Sequence, residues 1–334
     1  MMKQIIVIQQ ILNNLYRLEI PLTGNPLKTL NSYVMISDTR NLIVDTGFNM
    51  PECLAAMLSS ITELELDMTK TDVLSTHLHH DHNGLIPDII SETSKVYMGR
   101  IDREIFIKSM TDADTHWGIA ETKYQQEGYP IEELARTRLS NPARKFKPNS
   151  LFDIIPLNDG DMVNCGDLKW EVILTPGHTP GHICLYETHH KILIAGDHIL
   201  FDITPNITWW EEMDDSLGSY LTSLDRVSSL EVNKTLTGHR SNKGFFNKRI
   251  QELQVHHAER LKNVLDIVQN NPYISGYEIA SKMTWSIRTT NWADFPPGLR
   301  WFAVGEAISH IDHLIALGKL QRHHTDGINT YTHA

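Results

Sequence analysis

Four side chains of the types that bind metal ions fall within one short segment of the sequence. They are His77, His79, Asp81 and His82. Imidazoles are the commonest ligands of zinc-like ions, and carboxylates also bind them. Because these groups are so closely spaced, they can serve two ions together. We therefore expect a metal centre here, with His80 at a spacer position where it is not a ligand.

Three further candidate ligands share one local pattern, in which each directly follows a glycine that comes after an apolar run. They are His178, Asp197 and His239. The apolar runs are typical of buried strands, and glycine allows a sharp turn and leaves space beside a metal. Because open sheets place ligands at the carboxyl ends of strands, we expect these side chains to meet the segment at residues 77–82.

The elements that must position these residues are predicted from residues 1–245, where apolar runs alternate with amphipathic stretches. This alternation indicates an α/β fold. The predicted strands are Leu15–Ile20, Ser32–Ile36, Asn41–Asp45, Thr71–Thr76, Lys95–Tyr97, Lys169–Leu174, Ile183–Glu187, Lys191–Ala195 and Asn233–Leu236. A helix is predicted over Met50–Leu64, and residues 100–147 are predicted to form a helical insertion in a catalytic domain.

The pattern changes after about residue 245, which predicts a second domain over residues 246–334. Helical periodicity is followed by two short strands around Asp326-Gly327, which is a hairpin turn signal. The predicted helices and strands are Lys248–Gln269, Tyr277–Met283, Gly305–Leu317, Lys319–Arg322 and Asn329–Thr332. Three helices followed by a hairpin are typical of a winged-helix domain.

Composition and charge narrow the classes of function. The 334 residues carry a net charge of -11, and residues 251–334 are close to neutral, so a nucleic-acid partner is not expected. We find neither a membrane-spanning run of about 20 apolar residues nor a signal peptide. The three cysteines are widely spaced and form no disulfide pattern. We therefore expect a cytoplasmic protein.

The ordered set of seven candidate ligands resembles the metallo-β-lactamase superfamily. The resemblance rests on the HxHxDH motif at residues 77–82, followed by His178, Asp197 and His239, and it spans roughly residues 15–245. It implies a four-layer αββα sandwich with a dinuclear metal centre. The implied ligands of the first metal are His77, His79 and His178, and those of the second are Asp81, His82 and His239. In this family Asp197 would bridge both metals.

The resemblance also indicates a branch of the superfamily. True β-lactamases lack the bridging aspartate, so Asp197 favours the glyoxalase II-like and lactonase-like branches. The C-terminal part is similar to the winged-helix extension of β-lactamase-like protein 2 relatives. That similarity rests on Trp292, residues 305–312 and residues 318–320.

The chemistry expected from two adjacent cations is hydrolysis of a small-molecule substrate. Two divalent ions would lower the pKa of a shared water, so that hydroxide forms near neutral pH and attacks an electrophilic carbonyl or phosphorus. Asp81 is the expected catalytic residue, which orients the nucleophile or moves a proton. Zinc is the expected metal, although iron or manganese fits the same ligands. A thioester or a carboxylic ester is the leading substrate class.

Several alternatives stay open at this stage. A lactonase is close to the leading hypothesis, but quorum-quenching lactonases carry a tyrosine where this chain has Leu200. A glutathione thioester is disfavoured because residues 199–210 hold no lysine or arginine. A nuclease, a di-iron redox protein and a metal-binding sensor are further hypotheses, and a homodimer is left open. We expect His182 to be structural, whereas Trp209 and Trp210 either line a pocket or fill the core.

Overall fold

The computed structural model describes residues 7–285 and 291–334. Its first sheet has seven strands whose order in space follows their order in the sequence. They are β1 (Ile8–Leu12), β2 (Leu15–Pro21), β3 (Thr29–Met35), β4 (Asn41–Val44), β5 (Thr71–Ser75), β6 (Val96–Gly99) and β7 (Ile155–Leu157). Strands β1 to β4 pair antiparallel and strands β4 to β7 pair parallel.

The second sheet has five strands in the order β12-β11-β10-β9-β8. They are β8 (Met162–Cys165), β9 (Leu168–Leu174), β10 (Ile183–Glu187), β11 (Ile192–Gly196) and β12 (Lys234–Thr237). Strands β11 and β12 are parallel, and the other neighbours are antiparallel. Because β11 and β12 run in the same direction, their carboxyl ends open at one edge of the sheet.

Eleven α-helices and two 3-10 turns are formed by the described residues. The helices are α1 (Pro51–Glu63), α2 (His80–Asn83), α3 (Ile86–Ile89), α4 (Arg100–Thr111), α5 (Ala113–Gln126), α6 (Ile131–Ser140), α7 (Pro142–Lys145), α8 (Ser216–Ser228), α9 (Phe246–Asn270), α10 (Gly276–Lys282) and α11 (Pro297–Ala316). The 3-10 turns are Met68–Lys70 and Trp292–Asp294.

The two sheets pack face to face because alternate residues of a strand point to opposite faces. Tyr33 and Leu185 belong to the core between the sheets, whereas their neighbours Val34 and Tyr186 face outward onto helices. Helix α1 covers the outer face of the first sheet, and helices α8 and α9 cover that of the second. These layers confirm the predicted αββα sandwich.

The C-terminal region contains helices α9, α10 and α11 and a third, three-stranded sheet in the order β13-β15-β14. Its strands are β13 (Ile274–Ser275), β14 (Leu320–Thr325) and β15 (Ile328–His333). Ser275 and Glu278 form a capping box that fixes the start of α10. The observed order of helices and hairpin matches the expected order, while the division at residue 245 and the winged-helix assignment stay predictions.

Helices α5 and α6 pack against this C-terminal region. Tyr124, Tyr129 and Leu134 share one apolar core with residues of α11 such as Ile308. The ring of Tyr124 stacks on Trp301, with ring centroids 3.8 Å apart. The predicted insertion and the C-terminal region therefore share a core, although a long stretch of sequence separates them.

Some element boundaries differ from those predicted. Helix α11 begins at Pro297, so the predicted start at Gly305 was wrong. Proline fits the first turn of a helix because its nitrogen needs no hydrogen-bond partner there. Helix α8 was missed because its serines and glycine mask its apolar face, and it begins after the N-cap Asp215. The short strands β1, β7, β8 and β13 were also missed. Within the described residues, no helix has the length and apolar composition needed to cross a membrane.

The core between the sheets yields a stability prediction. Leu185 is fully buried in β10, so Leu185→Ala should lower the free energy of unfolding by about 2–5 kcal/mol because it leaves a cavity. Met162→Ala in β8 is the control, since that residue is 52% exposed, and it should change the value by at most about 0.5 kcal/mol. Urea unfolding in the presence of a chelator measures both. Equal losses would contradict this packing.

Candidate metal centre

The seven candidate ligands lie just past the carboxyl ends of strands in both sheets, five of them in loops and two, Asp81 and His82, in the short helix α2. Residues 77–82 follow β5, and the other three follow β9, β11 and β12. Those three are His178, Asp197 and His239. The structure brings all seven together, within groups whose ligand atoms lie within 4.8 Å of one another. Their role as metal ligands stays a prediction.

The first group consists of three imidazoles. Nε2 of His77 lies 3.0 Å from Nδ1 of His79, and Nε2 of His178 lies 3.1 Å from that same Nδ1. Three ring nitrogens therefore face one point, as in the protein part of a tetrahedral zinc site.

The second group contains Asp81, His82 and His239. Nε2 of His239 lies 3.3 Å from Oδ2 of Asp81 and 3.3 Å from Nε2 of His82. Nε2 of His82 lies 3.9 Å from the same Asp81 oxygen. This group offers two nitrogens and one oxygen, a donor set that suits zinc, iron or manganese.

The Asp197 carboxylate lies between the two groups. Its Oδ2 is 3.8 Å from Nε2 of His178 and 3.3 Å from Nε2 of His239. Its Oδ1 is 3.7 Å from Nε2 of His82, and this buried oxygen has no hydrogen-bond partner among the described residues. A buried carboxylate oxygen without a partner is costly in free energy unless a cation neutralises it.

Hydrogen bonds at the outer side of the rings decide which nitrogen faces the centre. Nδ1 of His178 donates to the carbonyl of Asn206 at 2.8 Å, and Nδ1 of His239 donates to the carbonyl of Thr29 at 2.8 Å. Because a carbonyl only accepts, a proton lies on Nδ1 of both rings, and Nε2 is the nitrogen that presents a lone pair to the centre whenever the ring is neutral. The converging lone pairs fit divalent cations.

Burial and charge divide the imidazoles into two classes. Burial lowers the pKa of His79 to about 3 and also lowers the pKa values of His77 and His178, so these rings are neutral. Burial opposes the charged form of His239 as well, but the Asp197 carboxylate and hydrogen bonds to Asp197 and Asp81 raise its pKa to about 10. In the metal-free protein, His239 therefore holds a proton that a metal ion would displace.

Two of the glycines that precede the candidate ligands lie where a side chain would not fit. A Cβ added at Gly238 would lie 2.3 Å from Oδ1 of Asp197, so a side chain there would displace the carboxylate. Gly177 has φ +139, and an added Cβ would lie 2.4 Å from the Cβ of Tyr220. The approach at Gly238 agrees with the predicted use of glycine beside the centre, whereas Gly177 leaves room for helix α8.

His79 is half-buried, whereas the other six candidate ligands are buried. The ring of Trp210 lies 6.0 Å from that of His79, and its Nε1 donates to the carbonyl of His178 at 3.1 Å. Of the two uses weighed for Trp210, the structure favours a wall of the site. Trp209 instead packs against the C-terminal core.

Two nearby histidines point to other partners. His80 is buried, and its Nδ1 lies 3.1 Å from Oδ1 of Asn83, which agrees with its spacer position. His182 has both ring nitrogens engaged, since Nδ1 lies 2.8 Å from Oγ1 of Thr175 and Nε2 accepts from the backbone N–H of Asp197 at 3.2 Å. The second contact holds the turn that carries Asp197, and the structural role expected for His182 stays a prediction.

Residues 29–239 match the metallo-beta-lactamase superfamily. The chain belongs to that family. It is 26% identical over 220 residues to the human acyl-coenzyme A thioesterase MBLAC2, covering 63% of this chain and 72% of the relative. It is 22% identical over 267 residues to a beta-lactamase-like protein 2 homolog of Caenorhabditis elegans, covering 78% and 74% respectively.

A solved structure with a similar fold matches nearly the whole chain. It is the crystal structure of the metallo-beta-lactamase family protein TTHA1429 from Thermus thermophilus, with a TM-score of 0.81 and 23% identity. The superposition covers 97% of this chain and 100% of the other. The C-terminal region is therefore part of an arrangement found in a solved structure.

Sequence reasoning missed Asp45, which supports the HxHxDH segment from the end of β4. Its Oδ2 lies 2.8 Å from Nδ1 of His82, and its Oδ1 accepts from the backbone N–H of Thr76 at 2.8 Å. A carboxylate behind a metal-binding imidazole fixes the orientation of the ring and raises its basicity. Its position directly after an apolar strand was a usable signal, because the candidate ligands follow the same pattern.

Asp102 in the first turn of α4 was also missed. Its carboxylate accepts from the backbone N–H of Leu78 at 2.9 Å and from the hydroxyl of Thr179 at 2.6 Å, and it also accepts from the N–H of Gly181. It therefore joins the loop of His77 and His79 to the loop of His178. Burial raises the pKa of Asp102 to about 7 in spite of these three donors. The local sequence carries no signal for this role.

The charge distribution predicts that metal binding depends on pH. Because the pKa of His239 is raised to about 10 without metal, an ion entering beside it must displace a proton at neutral pH. The affinity for Zn²⁺ should therefore rise between about pH 6 and pH 9, with net proton release. Calorimetric titration in two buffers of different ionisation enthalpy measures the proton count. A flat affinity without proton release would contradict this charge assignment.

Proposed function

We propose that the chain is a metal-dependent hydrolase that cleaves a thioester or a carboxylic ester at a dinuclear centre. The observation that carries the proposal is the buried Asp197 carboxylate between two groups of ligand atoms, with oxygens 3.3 to 3.8 Å from nitrogens in both groups. A mononuclear site would need no such shared carboxylate. Membership of the superfamily supports the hydrolase class.

In this proposal each metal has three ligands of its own and shares Asp197. The ligands of the first are His77, His79 and His178, and those of the second are Asp81, His82 and His239. Bound divalent cations would supply Lewis-acid chemistry, which lowers the pKa of a water and polarises the substrate carbonyl. Zinc is the ion we propose, and iron or manganese fits the same donor set.

The protein holds the centre ready for this chemistry. The Asp45 and Asp102 carboxylates hold the loops in place, and His79 and Trp210 border the side from which a substrate enters. We assign the proton transfer to Asp81. Its Oδ2 lies 3.3 Å from Nε2 of His239, and among the described residues its carboxylate contacts only side chains of the centre. Burial opposes the charged form of Asp81, but the neighbouring imidazoles, with His82 foremost, lower its pKa and keep it ionised.

The substrate class we propose is an acyl thioester, with acyl-coenzyme A as the first compound to test. Its support is the similarity to MBLAC2, whose name states an acyl-coenzyme A thioesterase. The thioester carbonyl is electrophilic, and a thiolate is a good leaving group that needs little protonation. A lactonase is less favoured because Leu200, at the position of the lactonase tyrosine, is buried and offers no hydroxyl.

We further propose that residues 246–334 form a winged-helix-like domain that supports the catalytic domain of residues 1–245. Its near-neutral charge does not favour nucleic-acid binding. Its shared apolar core with Tyr124, Tyr129 and Leu134 supports a packing role. A homodimer is compatible with this proposal, and sedimentation would measure it.

The proposed function predicts the effect of removing the shared negative charge. Asp197→Asn should lower kcat/KM at least about 100-fold while the protein stays folded, because the amide cannot neutralise two cations. Bound metal and release of thiol from acyl-coenzyme A are measured on the same samples. Asp214→Asn is the control, since Asp214 is exposed on the loop before α8 and should leave both values unchanged.

A panel of acyl thioesters, carboxylic esters, lactones, β-lactams and RNA then decides the substrate class. We expect the highest kcat/KM on a thioester. Equal turnover by wild type and Asp197→Asn would remove Asp197 from the reaction, whereas activity confined to lactones or RNA would overturn the proposed substrate class. Metal analysis that finds iron with redox activity and no hydrolysis would overturn the hydrolase proposal itself.

A further inference from the structure

The loop at residues 204–210, here called the bridging loop, holds His178 from two sides. Its Asn206 carbonyl accepts from Nδ1 of His178 at 2.8 Å, and the Nε1 of its Trp210 donates to the His178 carbonyl at 3.1 Å. The first contact fixes the tautomer and the orientation of the ring. The second contact fixes the backbone from which the ring projects. The placement of His178 therefore depends on the placement of this loop.

The opposite side of the bridging loop lies against helix α11 of the C-terminal region. The Asn206 side chain donates to Oε2 of Glu306 at 3.2 Å, and the Ser309 hydroxyl donates to the carbonyl of Ile207 at 2.7 Å. A Cβ added at Gly305 would lie 2.1 Å from Oγ1 of Thr208, so the helix and the loop are in close contact. The loop thus lies between α11 and the candidate metal centre.

Glu306 is itself fixed from a second helix. Its Oε1 lies 3.0 Å from Nη2 of Arg260 in α9, and these side chains are only 15% and 10% exposed. The Arg260 guanidinium also lies 4.1 Å from the ring centroid of Trp285. This ion pair keeps the Glu306 carboxylate beside Asn206.

We propose that Glu306 is a positioning residue for His178, which acts through Asn206 and the bridging loop and couples the C-terminal region to the metal centre. The proposal rests on the proposed function in that it takes His178 as a metal ligand. Groups behind a metal-binding histidine orient its ring, and their loss typically lowers metal affinity about 10- to 100-fold. Because Glu306 acts one residue further away, we expect a loss near the lower end of that range.

The test compares three variants with a matched control. Glu306→Ala removes the acceptor, Glu306→Gln keeps an acceptor for Asn206, and Asn206→Ala breaks the link while leaving Arg260 paired with Glu306. Glu133→Gln is the control, because Glu133 also pairs with a buried arginine, Arg300, and contacts Tyr277 instead of the bridging loop. Thermal unfolding of the metal-free proteins establishes that each variant is folded.

Two readouts are independent of turnover. Competition with a chromophoric chelator gives the affinity for Zn²⁺. Nitrogen-15 spectra of histidine-labelled, metal-free protein give the tautomer of each ring, and the signals of His178 are identified by their loss in His178→Asn. We expect Glu306→Ala and Asn206→Ala to weaken Zn²⁺ binding about 10-fold and to shift the His178 signals. Glu306→Gln should recover most of the affinity, and Glu133→Gln should match wild type.

Wild-type affinity and unchanged His178 signals in both Glu306→Ala and Asn206→Ala would overturn the proposal. An equal loss in Glu133→Gln would also overturn it, because the effect would then be general destabilisation. Failure of the proposed function has a different signature. If wild type binds Zn²⁺ but hydrolyses no ester or thioester, the affinity and tautomer readouts still decide the role of Glu306. If wild type binds no metal, the tautomer readout alone decides it.

Discussion

The constraint that governs this structure is the concentration of electron-pair donors in a buried space. Asp197 has a buried oxygen without a hydrogen-bond partner in the described part of the chain, and the ring nitrogens of neighbouring histidines face one another at about hydrogen-bond distance. Lone pairs repel one another, so these atoms are stable at such distances only when protons or cations lie between them. The rest of the fold must therefore supply rigid support from several directions.

That support comes from strand ends in both sheets and from carboxylates that lie behind the candidate ligands. Asp45 binds the ring of His82, and Asp102 joins two ligand loops that are distant in the sequence. Gly238 keeps the space beside Asp197 free of any side chain. Each of these features restricts motion at the centre. A donor set held in this way is preorganised for divalent cations.

The C-terminal region extends this support beyond the sandwich. Helix α11 contacts the loop that holds His178, and the same helix shares an apolar core with residues of α5 and α6. Loops that carry candidate ligands are ordinarily the most mobile parts of an α/β fold. Here a loop beside the centre is enclosed between two packed layers, which explains why an added helical region can matter to a site to which it contributes no candidate ligand.

The sequence by itself determined the types and order of the candidate ligands, the alternation of strands and helices and the helical character of the C-terminal region, because spacing and periodicity are local properties of the chain. The four-layer arrangement was expected only from the resemblance to the superfamily. Tertiary structure alone decided which nitrogen of His79 and of His178 faces the centre, and that Asp102 and Glu306 contact the loops around it. These features depend on contacts between segments far apart in the sequence. The local sequence does not predict such contacts, because a buried carboxylate on a helix can cap the helix, form an ion pair or bind a distant loop.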